Sequence, residues 1–409
     1  MSVDLDLVIV FGTIVATALV ARFTRLPITA LEIVAGLCLV GLLGFAFPDD
    51  LNALVVLGSL LIVFLAGFET NLAFLRGNLG RALTVGLPGF LVPFAGLFAV
   101  LYYGLHAPLL VAIIGATALA DTSISITYTT LRQYDLTDLP FGRLVLASTL
   151  AVNLAEDFSI TTTSFLTTPG IVFTLAVLGA LLVAAFCLPQ LTRALAKRGS
   201  DGFSNVTTRS LLFSLAVLAT LSAMVGVPGI LFVFLMGLIF SQYADRLFVR
   251  DLQKVAFAIF VPFYFVAVGL RVDLGFVAAN LPLVLALAAG ATALKLAAIY
   301  PTARHVFGPQ RAAPVATLMN ARLTSATVIL LLTLTLGLIP LEWYSVLISV
   351  VVVLALGSAL AVRAFPAFRS TSAAQAAFAG EFATGVEETG RSARPTIAAP
   401  TVRSNPPRA

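Results

Sequence analysis

Apolar runs of roughly 17–25 residues, each long enough to cross a bilayer as a helix, follow one another along most of this chain. About thirteen candidate spans are read between Leu5 and Ala361, several of them short or interrupted, such as Gly229–Phe240. Among them are Leu31–Phe47, Ala82–Tyr102, Leu109–Leu131, Leu144–Leu166, Ile171–Leu191, Val255–Val272, Ala278–Ile299 and Ala313–Leu336. Residues are 60% hydrophobic and 11% charged, a balance that excludes an ordinary soluble domain. The fold class is an all-α polytopic membrane protein. Met1–Asp6 carries two acids and no base, so no cleavable signal peptide is expected. Cys38 and Cys187 both fall in apolar spans and are expected to be buried free thiols.

The basic residues orient the spans. Twenty-one of the 24 Lys and Arg fall in alternate loops and the C-terminal segment, all on one side if thirteen spans is correct. Cytoplasmic loops are enriched in these residues, which places the N-terminus outside and the C-terminus in the cytoplasm of a multi-pass cell-membrane protein. The high isoelectric point is explained by those loops and implies no nucleic-acid partner. Residues 1–364 form the transmembrane domain. Residues 365–409, rich in Ala, Ser, Thr, Pro and charge, are expected to be a disordered cytoplasmic tail. That segment holds no Gly-x-Gly-x-x-Gly pattern and is too short for a nucleotide-binding domain.

Against this background the charges inside spans stand out. Glu156 and Asp157 are adjacent in LVLASTLAVNLAEDFSITTTSFL. A carboxylate at the bilayer centre costs about 2.5–3.5 kcal/mol on insertion scales, and such residues mark ion or proton pathways. Asn153 and Asp157 are four apart and share a helix face, whereas Glu156 is rotated by roughly 100°. Asp157 with the Asn153 amide offers oxygen ligands to a small hard cation. The alternative is that Asn153 only bonds a neighbouring helix.

The preceding span is interrupted by Ala120-Asp121-Thr122-Ser123. Asp, Thr and Ser are poor inside helices and favoured at their N-caps. The pattern predicts a broken helix whose second half starts near Thr122, with Asp121 at its positive end and freed carbonyls available to a cation. The alternative is a continuous helix with back-bonded hydroxyls. Lys295, in AGATALKLAAIY, is a natural counter-charge for Glu156, or else snorkels to the interface. Arg322 sits in a second polar interruption with Asn320, Thr324, Ser325 and Thr327. Paired interruptions in two halves point to an inverted-repeat transporter with a midplane site. Glu32 and Glu69, near span ends, read as structural or gating groups.

Several stretches carry a resemblance. They are Leu26-Pro27 through Glu32 and Ala35-Gly36, then Phe64–Asn71 (FLAGFETN), then Phe260–Asp273 (FVPFYFVAVGLRVD), and the acid pair itself. Over roughly Pro27–Ala361 the chain resembles the bacterial monovalent cation:proton antiporter-2 family. The resemblance implies a core with two crossed discontinuous helices, a separate dimerisation domain and hence a homodimer. It implies that Asp157 alternates between a proton and Na+ or K+, with Asn153 and Thr122 completing the site. It implies that Lys295 pairs with the first acid, and that no cofactor and no enzymatic reaction are involved. The chain departs from the pattern at Glu156, where the family has Asn, Asp or Gln, and in the NARLTSA stretch. Two other readings compete. One is a sodium-coupled symporter of an organic solute on a similar scaffold. The other is an intramembrane aspartyl protease with Asp121 and Asp157 as its dyad, which the missing Gly-x-Gly-Asp context disfavours.

Overall fold

The computed structural model describes residues 3–24, 26–45, 51–68, 72–137, 139–163, 203–225, 230–242, 246–368 and 370–378, with short pieces between 166 and 190. Among the described residues every regular element is helical. In chain order these are α1 (Val3–Thr24), α2 (Ile28–Leu43), α3 (Asn52–Phe68), α4 (Leu72–Ala99), α5 (Leu109–Ala120), α6 (Ile124–Gln133) and α7 (Pro140–Thr162). After these come α8 (Phe203–Val225), α9 (Ile230–Phe240), α10 (Arg246–Val255), α11 (Val261–Leu270), α12 (Leu274–Ala279) and α13 (Leu281–Phe307). The last are α14 (Pro309–Leu318), α15 (Thr324–Thr335), α16 (Leu341–Arg363) and α17 (Thr371–Phe378).

Seven helical stretches are long and apolar enough to cross a membrane, and shorter apolar helices include α2, α3, α9 and α15. The expected span Ile171–Leu191 lies largely outside the described residues. Proline and wide turns shape the long helices. Chain α4 carries Pro88 and Pro93, kinks at Asn78 and ends in one π-helical turn, Val100–Gly104. A second π turn, Ala256–Phe260, joins α10 to α11 directly ahead of Pro262. Proline removes a backbone donor, and wide turns absorb the lost ladder bond.

Two packing groups emerge. In the first, α2 packs on α11, and α3 on α9 and α11. Gly36 of α2 and Gly269 of α11 face one another's helices so closely that a Cβ on either would meet backbone, that of Val266 or Ile33. Gly67 of α3 and Gly237 of α9 repeat the arrangement against Phe234 and Phe64. Small residues at such crossings let backbones approach where lipid supplies no hydrophobic drive between helices. In the second group α4 is the hub, packed on α5, α7 and α13, while α13 also contacts α14 and α16. This group positions the polar centre.

Two expectations change here. Residues 365–368 and 370–378, read from composition as the start of a disordered tail, contain a short 3-10 turn and the helix α17. Phe378 stacks on Phe141 of α7 with centroids 4.1 Å apart, and Phe368 is buried beside Tyr134. Two of the three phenylalanines in this otherwise Ala/Ser-rich segment, Phe368 and Phe378, are buried in the docked position. Residues 379–409 lie outside the described residues. The cysteines are unpaired, as expected, but exposed rather than buried.

Candidate functional site

Two helix interruptions meet in the second packing group. The first separates α5 from α6 at residues 121–123, and the second separates α14 from α15 at 319–323. Asp121 ends α5 in extended geometry (φ −52°, ψ 162°), and Leu323 precedes α15 with φ −161° and ψ −67°. The first break starts its second half at Ile124, two residues later than the sequence pattern predicts. Polar groups freed by each break are satisfied by the other. Ser123 N–H donates to the Ala321 carbonyl at 2.7 Å. Thr122 Oγ1 donates to the Met319 carbonyl at 2.9 Å, and the Ser123 and Thr324 hydroxyls are 3.2 Å apart. Buried backbone groups must find partners, and here each break is the other's partner.

Charged side chains from the breaks themselves and from two further helices, α7 and α13, meet at this junction. Asp121, Glu156, Lys295 and Arg322 are each 0% exposed, and Asp157 and Asn153 are 3% exposed. Asn153 Nδ2 lies 3.1 Å from Asp121 Oδ1, 3.2 Å from Glu156 Oε2 and 3.2 Å from Ser325 Oγ. The amide thus joins α7 to both breaks. Its other atom, Oδ1, is buried and has no hydrogen-bond partner among the described residues; the same is true of Glu156 Oε1. No described group donates to the Asp157 carboxylate, although the Asp157 backbone carbonyl accepts from Thr161 Oγ1 at 2.7 Å. As the helix geometry predicts, the two adjacent acids differ in surroundings. Glu156 turns towards Asn153 and the Asp121 carboxyl, whereas the Asp157 carboxylate stays without a donor.

Two of the expected pairings are corrected. Lys295, expected to pair with Glu156, has no carboxylate within ion-pair distance among the described residues. Its Nζ donates to the backbone carbonyls of Ala120 (2.5 Å) and Asp121 (2.9 Å). Those are the orphaned acceptors at the C-terminal end of α5, where the helix dipole is negative and a cation is favoured. The Lys295 stem is fully buried, so snorkelling to the interface is also excluded. Asp121, expected at the positive end of α6, instead reaches across. Its Oδ2 accepts from Ala326 N–H at 3.4 Å, in the first turn of α15. The N-terminus of α6 is capped by Ser123 Oγ, which accepts from Ile126 N–H at 3.4 Å.

Arg322 stays within its own break and reaches one neighbour. Nη1 donates to Asn320 Oδ1 at 3.0 Å, and Nη2 donates to the Ala291 carbonyl of α13 at 2.9 Å. Sequence reasoning missed Ser123, Thr324 and Ser325 as joining groups. The signal was present as hydroxyl-rich stretches in both interruptions. Glu32 is buried in α2 with Oε2 unpaired, and Glu69 lies outside the described residues.

A cavity of about 700 Å³ ends near this junction. Its inner wall includes Ser125 and Thr324, and its outer wall includes Arg22, Arg132 and Arg363. Ser125 Oγ is 3.1 Å from Ser123 Oγ, so one hydroxyl separates the cavity from the first break.

Comparison with known proteins places the chain in a family. The chain is 26% identical to a Na+/H+ antiporter of Enterococcus hirae, over 79% of this chain and 87% of that one. It is 27% identical to the Na+/H+-K+ antiporter GerN of Bacillus cereus, over 74% of this chain and 80% of that one. Its fold matches the sodium proton antiporter MjNhaP1 of Methanocaldococcus jannaschii with a TM-score of 0.64, covering 93% of this chain and all of that one at 15% identity. A family model described as sodium/hydrogen exchanger, transmembrane, matches residues 8–365. The chain belongs to the transmembrane sodium/hydrogen exchanger family.

Proposed function

We propose that this exchanger swaps cytosolic Na+ or K+ for external protons, or the reverse as the gradients dictate, at one carboxylate, Asp157. The observation that carries the reading is a charge count. The junction buries three acids (Asp121, Glu156, Asp157) and two bases (Lys295, Arg322), so with all five ionised it holds one net negative charge. An uncompensated charge away from water is costly. One monovalent cation or one proton cancels it, and both together would not be needed. Asp157 is the acid that no described group already serves, and Asn153 Oδ1 is a buried acceptor left vacant on the same helix. Those two oxygens, with Thr122 beside the first break, suit a hard cation.

In this reading the half-helices of the two breaks cross in an inverted repeat, and movement of that group against the glycine-packed helices exposes Asp157 to each side in turn. The arginine-lined cavity is the cytoplasmic approach. The protein works as a homodimer with its C-terminus in the cytoplasm, the first from the family resemblance and the second from the placement of Lys and Arg. No bond is made or broken, so the site acts as a transporter rather than an enzyme. Family membership and the antiporter relatives give no support to solute symport.

The test is transport by purified protein in liposomes carrying a pH-sensitive dye. Wild type moves protons on addition of Na+ or K+ without any organic solute. Asp157→Asn is expected to reduce this to the level of protein-free vesicles. Exchange at the wild-type rate in that variant would refute the assignment.

A further inference from the structure

The cavity wall presents a difficulty for a simple cation path. Among the described residues its lining contains Arg22, Arg132 and Arg363 and no carboxylate. Each arginine lies in the last turn of its helix, α1, α6 and α16 respectively. A helix C-terminus carries about half a negative charge. Three guanidinium groups against three such ends leave an excess of about +1.5, so capping alone does not account for them. Only Arg363 is seen binding an end, through Nη1 to the Thr24 carbonyl of α1 at 3.1 Å. Arg22 and Arg132 are exposed, and neither donates to any described group. The rest of the wall is largely apolar or aromatic, including Ile62, Leu65, Phe257 and Phe265. Beside it α1 exposes Val15, Leu19 and Phe23, side chains suited to lipid contact.

We propose that the mouth of this cavity is a binding site for an anionic phospholipid, its phosphate held by Arg22, Arg132 and Arg363 and an acyl chain laid on the apolar wall. Charge complementarity selects the anion, since planar guanidinium groups bind phosphate oxygens in pairs. The adjoining apolar wall selects a lipid over a free ion. Basic clefts between helices at the cytoplasmic ends of spans favour the anionic lipids of that leaflet. The occupant would neutralise the mouth of the cation path and remove the repulsion the arginines otherwise impose. The binding claim stands whichever carboxylate carries the transported ion.

The experiment compares phosphatidylglycerol, phosphatidylcholine and inorganic phosphate on the purified full chain in detergent. Retained lipid is read by native mass spectrometry and protection by thermal unfolding. Wild type is expected to retain phosphatidylglycerol and gain thermal stability from it, with little effect of the other two. Arg22→Gln/Arg132→Gln is expected to lose both effects, and Arg22→Lys/Arg132→Lys to keep part of them. Equal retention of phosphatidylglycerol by the Gln variant, or equal protection by phosphatidylcholine, overturns the site. Equal protection by inorganic phosphate overturns the lipid as its occupant. If the Gln variant does not fold, release of phosphatidylglycerol from wild type by high salt supports the proposal, and retention in high salt overturns it.

Discussion

The two helix breaks are alike at one end and unlike at the other. Each leaves a C-terminal half-helix end with a cation at or just beyond it: Lys295 on the carbonyls of Ala120 and Asp121, and Arg322 on the Asn320 carbonyl at 3.3 Å. Each also leaves an N-terminal end, and there the treatment differs. The start of α15 has a carboxylate, Asp121, reaching Ala326 N–H from the opposite break. The start of α6 has only the neutral Ser123 hydroxyl. A helix N-terminus carries about half a positive charge. The positive end of α15 is therefore occupied by fixed protein charge, while that of α6 is left with a dipole alone. Compensation at three of the four ends is built into the chain. The difference shows which end is free to respond to a changing charge nearby.

The largest effects should come from the cations. Lys295→Met removes two charge-assisted hydrogen bonds and leaves the buried acids with one base. Each hydrogen bond to a charged group contributes about 1.5–3 kcal/mol, so losing two costs about 3–5 kcal/mol. Thermal unfolding in detergent should show a loss of that order, and an unchanged midpoint would mean that the α5 end does not need its cation. Arg322→Gln should lose less, about 2 kcal/mol, because the amide can still donate to one of the acceptors on Asn320 or Ala291. If Arg322→Gln proved as damaging as Lys295→Met, the two C-terminal ends would be equivalent after all. Exchange activity in vesicles separates stability from transport in both variants.

Asp121→Asn probes the unlike ends. The amide oxygen still accepts from Ala326 N–H, so the cap persists with a small loss of stability. With the remaining groups ionised, however, the charge count of the junction changes from −1 to 0. Apparent Na+ affinity should then fall by roughly tenfold or more, equivalent to about 1.4 kcal/mol. Cation affinity unchanged in this variant would separate Asp121 from the transport site and leave it a cap only.

Much of this was legible in the sequence, for local reasons. Asp121-Thr122-Ser123 and the Asn320–Thr327 stretch declare broken helices because their side chains compete with the helical backbone. Asn153 and Asp157 share a face through helix geometry alone. The partners were not legible. Lys295 was matched by charge to Glu156, whereas the half-helix placed two bare carbonyls nearer. Asp121 was assigned to the helix that follows it in the chain, but it serves one about 200 residues away. Capping chemistry is read from neighbours in sequence, and a junction of two breaks exchanges those neighbours. The docked α17 was missed for a related reason. Composition averages over a segment, and the aromatic anchors Phe368 and Phe378 are only two residues within it.

The smallest expected effect is the sharpest test of the asymmetry. Ser123→Ala removes the side-chain cap on Ile126 N–H and the 3.2 Å contact with Thr324, but leaves the backbone bond to Ala321. Losing a serine cap costs about 1 kcal/mol where the hydrogen bond is good. At 3.4 Å this one is long, which puts the expected loss nearer 0.5 kcal/mol. The companion substitution Ser123→Asp adds the missing carboxylate to the α6 end and makes the two breaks alike. The added buried carboxylate should lower thermal stability, and if the neutral end matters to transport, Ser123→Asp should also bind the cation differently in the dye assay. If its transport matches wild type across Na+ concentrations, neither the unlike treatment of the two ends nor the added charge has a functional consequence, and the net charge of the junction does not set cation binding.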